Sequence, residues 1–282
     1  MDKNKKYLYV KYEGGFNDIL CQIERTLNYC INNNRILMID IINATAYNIN
    51  FNDFFNLNND NIICDYNEII NICKQTDDIY PGYFKNKLLN ILSGNLKLDH
   101  CENYNRYGYS LHELPNNINE TILIHNAYGG GNGYNMFKQL NIKIDIKNKI
   151  IQKYNLCDNN YLAIHIRNTD YKNDYIKLYE ENINLINSFD CIFLATDDIN
   201  ALNFFKSKHL KIINFTQYDI FSSCGLHMNK NIDPEIKMID ILVDIYIFSQ
   251  SYKILSTSYG GFNTLLKNCY YNKKNVKKQF EL

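Results

Sequence analysis

The feature that most constrains this chain is an apolar run that breaks abruptly into polar residues, used three times in its second half. Tyr161-Leu162-Ala163-Ile164 leads into His165-Ile166-Arg167-Asn168-Thr169-Asp170, and Cys191-Ile192-Phe193-Leu194 leads into Ala195-Thr196-Asp197-Asp198. Lys253-Ile254-Leu255 leads into Ser256-Thr257-Ser258-Tyr259-Gly260-Gly261-Phe262. Short continuous apolar runs bounded by polar turns read as strands buried on both faces of a parallel sheet. Ligands of open α/β sheets bind outside the carboxyl ends of the strands, so an Arg and several carboxylates delivered there are placed for binding rather than packing. The three strand ends are expected to meet at one site.

The remainder of the chain is organised around the same alternation. Tyr7–Tyr12 reads as a strand, Glu13-Gly14-Gly15-Phe16-Asn17-Asp18 as a loop, and the following residues to about Asn32 as a helix with Ile19, Leu20, Ile23, Leu27, Cys30 and Ile31 on one face. Asn17 or Asp18 is the expected N-cap, and Arg35–Ile41 supplies the next strand, completing a β-loop-α-β unit. From Asn43 to Asn119, short apolar pieces alternate with Asn-rich turns. Thr121–His125 reads as a strand, followed by a glycine run, Gly129-Gly130-Gly131-Asn132-Gly133. Further strands are expected at 161–167, 190–196, 211–215 and 252–256, with helices at 175–187, 198–208 and 234–250. The fold class is therefore α/β, with two Rossmann-like domains facing a cleft, residues 1–157 and 158–282. A chain of 282 residues is long for one core and comfortable for two.

Composition narrows the class. Thirty basic and thirty acidic side chains cancel, so no global field draws the chain to nucleic acid or acidic membranes, although a local basic groove stays open to it. The nine cysteines are scattered, odd in number and free of any C-x-x-C pair, which reads as free thiols in a reducing compartment. Met1-Asp2-Lys3-Asn4-Lys5-Lys6 leads into an alternating strand rather than an apolar signal core, and no stretch approaches ~20 apolar residues. A soluble protein of the cytoplasm or another intracellular compartment, with no membrane span, is expected.

Each candidate residue has two readings. Arg167 offers a rigid fork of donors suited to a diphosphate, or it is one half of a strand-end pair with Asp170 while His165 is bonded inside the sheet. Asp197 and Asp198 suit a hard cation, or Asp198 caps the next helix and Asp197 bonds a ligand. Ser256–Phe262 is either an anion seat at a helix start or an ordinary cap. The glycine run is either a phosphate cradle or a flexible turn, since it lacks both the P-loop and the dinucleotide order of residues. Asp240 and Asp244, four apart, face either a nucleobase edge or solvent.

These segments, in this order, resemble the GDP-fucose-dependent fucosyltransferases of the two-domain GT-B type, a group that includes α1,6- and α1,2-fucosyltransferases and protein O-fucosyltransferases. The family's H-x-R-R-x-D segment is similar to His165-Ile166-Arg167-Asn168-Thr169-Asp170, its early glycine loop to Gly14-Gly15-Phe16-Asn17, and its A-T-D segment to Ala195-Thr196-Asp197. Its last helix-strand-loop resembles Asp244–Gln250 followed by Ser256–Phe262. Asn126-Ala127-Tyr128 and Phe137 resemble the aromatic segment that closes its first domain. The resemblance implies a transferase moving fucose or a related deoxyhexose, with inversion and without a metal or other cofactor, from GDP-fucose to a glycan or protein acceptor. It implies that Arg167 holds the β-phosphate, that His165 and Asp244 contact the guanosine, and that the 257–262 loop (Thr257, Ser258, Tyr259, Gly260, Gly261, Phe262) binds the pyrophosphate. Gly14, Gly15, Phe16, Asn17, Asp170 and Asp197 complete the donor site, and Glu13 beside the glycine loop is the candidate base, unless it is merely exposed. Asn168 stands where the α1,6 and α1,2 groups carry a second Arg, so linkage and sugar are left open. A UDP- or dTDP-sugar transferase and a non-catalytic nucleotide-sugar binder remain as alternatives.

Overall fold

The computed structural model describes residues 5–42, 44, 46–95, 118–127, 129–169, 172–218, 226–256 and 259–281. The chain divides into two compact units, Met1–Asn141 and Ile142–Leu282.

In the first unit, β1 (Tyr7–Tyr12), α1 (Phe16–Asn32) and β2 (Ile36–Asp40) form the expected β-loop-α-β start. They are followed by α2 (Phe51–Phe54), β3 (Phe55–Asn56), β4 (Ile62–Ile63), α3 (Tyr66–Cys73), β5 (Ile79–Tyr80) and α4 (Leu88–Leu92). The last three are β6 (Ile122–Ala127), α5 (Tyr134–Phe137) and β7 (Asn141–Ile142), which runs across the division between the units. Five strands make one parallel sheet in the order β4-β2-β1-β6-β5. Side chains alternate across it. Tyr7, Tyr9, Met38, Ile122 and Ile124 pack on one face with Ile69 and Ile72 of α3 and Leu88 and Ile91 of α4. Leu8, Val10 and Leu37 turn to the opposite face, fully buried.

At the carboxyl ends of β1 and β2 the sheet buries charge. Lys11 donates to Asp40 at 2.8 Å and to the Ile42 carbonyl at 2.5 Å, and the Tyr9 hydroxyl donates to the same Asp40 oxygen at 2.7 Å. The second Asp40 oxygen accepts from the Ile42 N–H at 2.8 Å. With each oxygen and the ammonium engaged, the pair meets the condition under which buried ions are tolerated.

The second unit contains α6 (Ile144–Tyr154), β8 (Leu162–Ile166), α7 (Tyr175–Glu181), α8 (Ile183–Ile186), β9 (Ile192–Thr196) and α9 (Ile199–Lys208). It ends with β10 (Ile212–Ile213), α10 (Pro234–Gln250), β11 (Lys253–Ser256), α11 (Gly261–Tyr271) and α12 (Lys273–Phe280). Its parallel sheet has the order β10-β9-β8-β11. The three strands that end in polar motifs are therefore neighbours, as their shared pattern suggested. Helix α10 is apolar on nearly all sides because other helices surround it. Asp233 caps its start by accepting from the Glu235 and Ile236 N–H groups, ahead of a proline at its first position.

Two expectations are corrected. The chain divides at 141/142 rather than 157/158, because α6 belongs to the second core: Tyr154 stands edge-on to Tyr246 of α10 at 5.1 Å, and Lys153 pairs with Asp240 at 2.9 Å. The expected 175–187 helix breaks at Asn182 into α7 and α8, with the Asn182 side chain bonding back to the Leu178 carbonyl at 2.9 Å.

Candidate functional site

Strand order brings the ends of β11, β8 and β9 side by side, and hydrogen bonds stitch the loops that follow them. The Asn168 N–H donates to Asp197 Oδ1 at 2.7 Å, and the Thr169 hydroxyl donates to Asp197 Oδ2 at 2.6 Å. Asn168 Nδ2 donates to Asp198 Oδ2 at 2.6 Å, while Asp198 Oδ1 caps α9 by accepting from the Asn200 N–H at 2.8 Å. Asn173 closes the loop. Its N–H donates to Asn168 Oδ1 at 2.7 Å, and its side-chain amide donates to the Arg167 carbonyl. The four carboxylate oxygens of Asp197 and Asp198 thus accept from the loop and the helix. Of the readings open for these acids, capping by Asp198 is the one observed. Among the described residues no group of three or more His, Cys, Asp or Glu side chains is arranged around a point where a cation would sit.

Arg167 leaves this stitched loop toward α11. Its terminal nitrogen Nη1 lies 2.9 Å from the point a Cβ on Gly260 would occupy, so the absent side chain is what admits the guanidinium. Gly260 is the N-cap of α11 and offers no capping side chain to the N–H groups of the helix's first turn. A guanidinium beside an open helix start is a site for an anion, and a diphosphate matches both the fork and the amides. Tyr259 stands fully exposed next to it. Asp170, Thr257 and Ser258 lie outside the described residues, so the pairing of Arg167 with Asp170 and the hydroxyl contacts of the 257–258 turn stay as expectations.

His165, one strand residue before the loop, is buried between Ser256 Oγ, 3.3 Å from its Nδ1, and the Phe262 ring, edge-on at 5.7 Å. Burial holds its pKa down at about 4, with the nearby Arg167 charge acting in the same direction. The imidazole is neutral at physiological pH and able to give or take one hydrogen bond. A histidine depressed from 6.5 to about 4 adds stability that is complete above pH 6.5 and is lost as pH falls through 4. The melting temperature should therefore drop across that window, and by less in His165→Asn; parallel profiles for the two proteins would contradict this environment.

Asp244 sits on α10 with its Oδ1 buried and without a hydrogen-bond partner among the described residues. Burial, and then the neighbouring Asp240 charge, push its carboxyl well above the usual range, while Lys153 pulls the other way. Asp240 is satisfied by Lys153 and by the Gln217 N–H at 3.2 Å. Asp244 is therefore the acid kept in reserve. It also influences Tyr218, whose hydroxyl donates to the Thr196 carbonyl at 2.9 Å at the end of β9. The base-edge reading of the Asp240/Asp244 pair thus narrows to Asp244 alone.

In the first unit the early glycine loop has a different character. Gly14 has φ +98°, which a β-carbon would strain. Glu13 is held by its backbone, its N–H donating to Gln22 Oε1 at 3.2 Å and its carbonyl accepting from Gln22 Nε2 at 2.7 Å. The glycine run after β6 folds over the start of α1. Asn17 Nδ2 donates to the Gly131 carbonyl at 3.1 Å, the Gly133 N–H donates to Asn17 Oδ1 at 3.1 Å, and Arg25 donates to the Gly129 carbonyl at 2.6 Å. A Cβ on Gly130 would overlap the Asp18 carboxylate. The N-cap of α1 is Gly15, not Asn17 or Asp18: both lie inside the first turn, and the Asn17 side chain is bonded to the glycine run. Phe16, 2% exposed and stacked on Phe55 at 5.9 Å, belongs to the core and presents no surface to a ligand. Arg25 and Tyr218 carried no local sequence signal as site-building residues, since each acts on a partner remote in sequence, and the loop-closing roles of Asn173 and Gln22 show only in the folded turn.

No protein-family model matches the chain, and no curated protein matches it by sequence. Solved structures do share its fold, which is the GT-B fold of fucosyltransferases. NodZ α-1,6-fucosyltransferase soaked with GDP-fucose, an enzyme solved from Bradyrhizobium, aligns with TM-score 0.63 and 14% identity over 93% of this chain and 92% of its own. POFUT1 in complex with GDP-fucose aligns with TM-score 0.57 and 9% identity over 95% of each chain. A point mutant of Arabidopsis thaliana FUT1 in complex with GDP aligns with TM-score 0.50 and 10% identity over 96% of this chain and 70% of its own.

Proposed function

We propose that the chain is an inverting, metal-independent glycosyltransferase that moves fucose, or a related deoxyhexose, from a GDP-linked donor to a glycan or protein acceptor. The observation that carries this reading is the Arg167 guanidinium beside the open start of α11, in a fold shared with enzymes solved holding GDP or GDP-fucose. The second unit, from Ile142 onward, takes the donor, and the first takes the acceptor. Arg167 and the amides after Gly260 hold the diphosphate, with Asp170, Thr257, Ser258 and Tyr259 around it. His165 and Asp244 contact the guanosine, and Asp197 keeps the Arg167 loop in place. Gly14 and Gly15 offer backbone to the sugar, supported from beneath by Phe16 and Asn17.

In the reaction the acceptor hydroxyl oxygen attacks the anomeric carbon from the face opposite the diphosphate. The bond from that carbon to the β-phosphate oxygen breaks, GDP leaves with the electron pair, and the acceptor proton passes to a carboxylate, for which Glu13 is the candidate. Arg167 and the helix amides stabilise the charge that collects on the leaving oxygen.

A thermal-shift screen over GDP, UDP, ADP, CMP and their sugars tests the donor class. A nucleotide at about 100 Kd stabilises by ~2.7 kcal/mol, so GDP should stand clear of the others. Equal shifts would remove the GDP assignment, and binding of GDP-fucose with no GDP release in the presence of any acceptor glycan would remove the transferase. Turnover should also persist in EDTA, because the countercharge comes from Arg167 and backbone N–H groups. Activity lost to the chelator and restored by magnesium or manganese would reassign Asp197 and Asp198.

A further inference from the structure

The zero net charge of the chain conceals a segregated patch. Helix α12 reads Lys273-Lys274-Asn275-Val276-Lys277-Lys278-Gln279-Phe280, with Val276 and Phe280 fully buried and the four lysines all exposed. Lysines at i, i+1, i+4 and i+5 share one side of a helix. Among the described residues Glu281 adjoins them, 3.7 Å from Lys277 in an exposed pair that salt screens readily. At the leading end of the helix the surface is aromatic. Tyr271 is 75% and Tyr252 is 68% exposed. The two are joined through Tyr270, whose ring packs on Tyr271 at 5.5 Å, whose hydroxyl donates to the Tyr252 carbonyl at 2.9 Å, and over which the Lys273 ammonium sits at 5.5 Å.

We propose that the lysine face of α12, with Tyr252 and Tyr271 at its leading end, docks on membranes that carry anionic lipid. Charge complementarity chooses the partner: lysines next to an anionic bilayer each strengthen binding by roughly fivefold, so four amount to a few hundredfold over a neutral surface. The tyrosines separate a bilayer from a dissolved polyanion, because rings with an apolar body and a polar tip settle at the lipid–water boundary. The apolar side of α12 is already consumed by the core, and no helix of the described residues is long and apolar enough to cross a membrane. Binding should accordingly be peripheral, reversible and sensitive to salt.

The test is co-sedimentation of the full chain with vesicles of phosphatidylcholine alone or with about 30% phosphatidylglycerol, at about 0.05 M and about 0.5 M NaCl. The expected result is capture by the anionic vesicles at low salt, release at high salt and little capture by neutral vesicles. Lys274→Glu with Lys278→Glu should abolish capture while leaving the melting temperature within a degree or two, since both side chains are exposed, and Tyr271→Ser should weaken it several-fold. Equal binding to both vesicle types, or capture untouched by the charge reversals in a folded protein, overturns the proposal. Tighter retention by heparin or RNA than by vesicles, with no effect of Tyr271→Ser, assigns the face to a polyanion and overturns it as well.

Discussion

Replacing Arg167 with Ala lowers kcat for sugar transfer by about 10²–10³, with a smaller change in donor affinity. That split is expected if the guanidinium meets the leaving diphosphate more strongly as charge builds on it than in the bound donor. Arg167→Lys restores little, because an ammonium keeps the charge and loses the fork. Gly260→Ala supplies an independent arm of the same experiment: its methyl would stand 2.9 Å from the guanidinium, so the arginine must move although its charge is unchanged. If the position of the charge matters, Gly260→Ala mimics part of the Arg167→Ala loss. Circular dichroism and melting curves separate these effects from misfolding. A folded Arg167→Ala protein that transfers sugar at the wild-type rate would remove Arg167 from the reaction.

Asp244→Asn is expected to act in opposite directions on binding and on stability. A carboxylate accepts both the N1–H and the exocyclic amine of guanine, whereas an amide accepts one and turns a donor toward the other. GDP should therefore lose about 1–3 kcal/mol of its advantage over UDP and ADP. The protein alone should become more stable at neutral pH. Burial and Asp240 raise the Asp244 pKa, so the fold holds that proton more tightly than the unfolded chain does and loses stability as pH rises through the raised value. An amide has no such penalty. A variant that melts lower and keeps full guanine selectivity would show that Asp244 serves packing alone.

The sequence made the second unit easier to read than the first, for a physical reason. β8 and β9 lie in the interior of a parallel sheet, so their apolar runs are unbroken, buried and followed at once by the polar residues that matter, while β11, half-buried at the sheet's edge, repeats the pattern over a shorter run. Asp198 at a helix start was legible because a capping side chain acts on the next few residues. In the first unit β3, β4 and β5 are two residues long and owe their existence to β-neighbours rather than to their own pattern. Helix α3 carries a local signal of its own, since Asp65 accepts from the Glu68 N–H ahead of Ile69 and Ile72. The role of Gly260 was not legible, since it depends on a side chain from a strand almost a hundred residues earlier. The same holds for Asn17, where the pattern pointed to a cap and the distant glycine run took the side chain.

Each unit contains the same device, a strand, a glycine turn and a helix, in the first at its start and in the second near its end, yet the charge beside the helix start is reversed. At the start of α11 the nearest charge is a guanidinium, and at the start of α1 it is the Asp18 carboxylate, lodged between Gly14 and the glycine run. The first helix start carries its own anion, whereas the second has a cation beside it. One architecture used twice thus sets opposite charges beside its two helix starts, and the second is the one suited to a diphosphate.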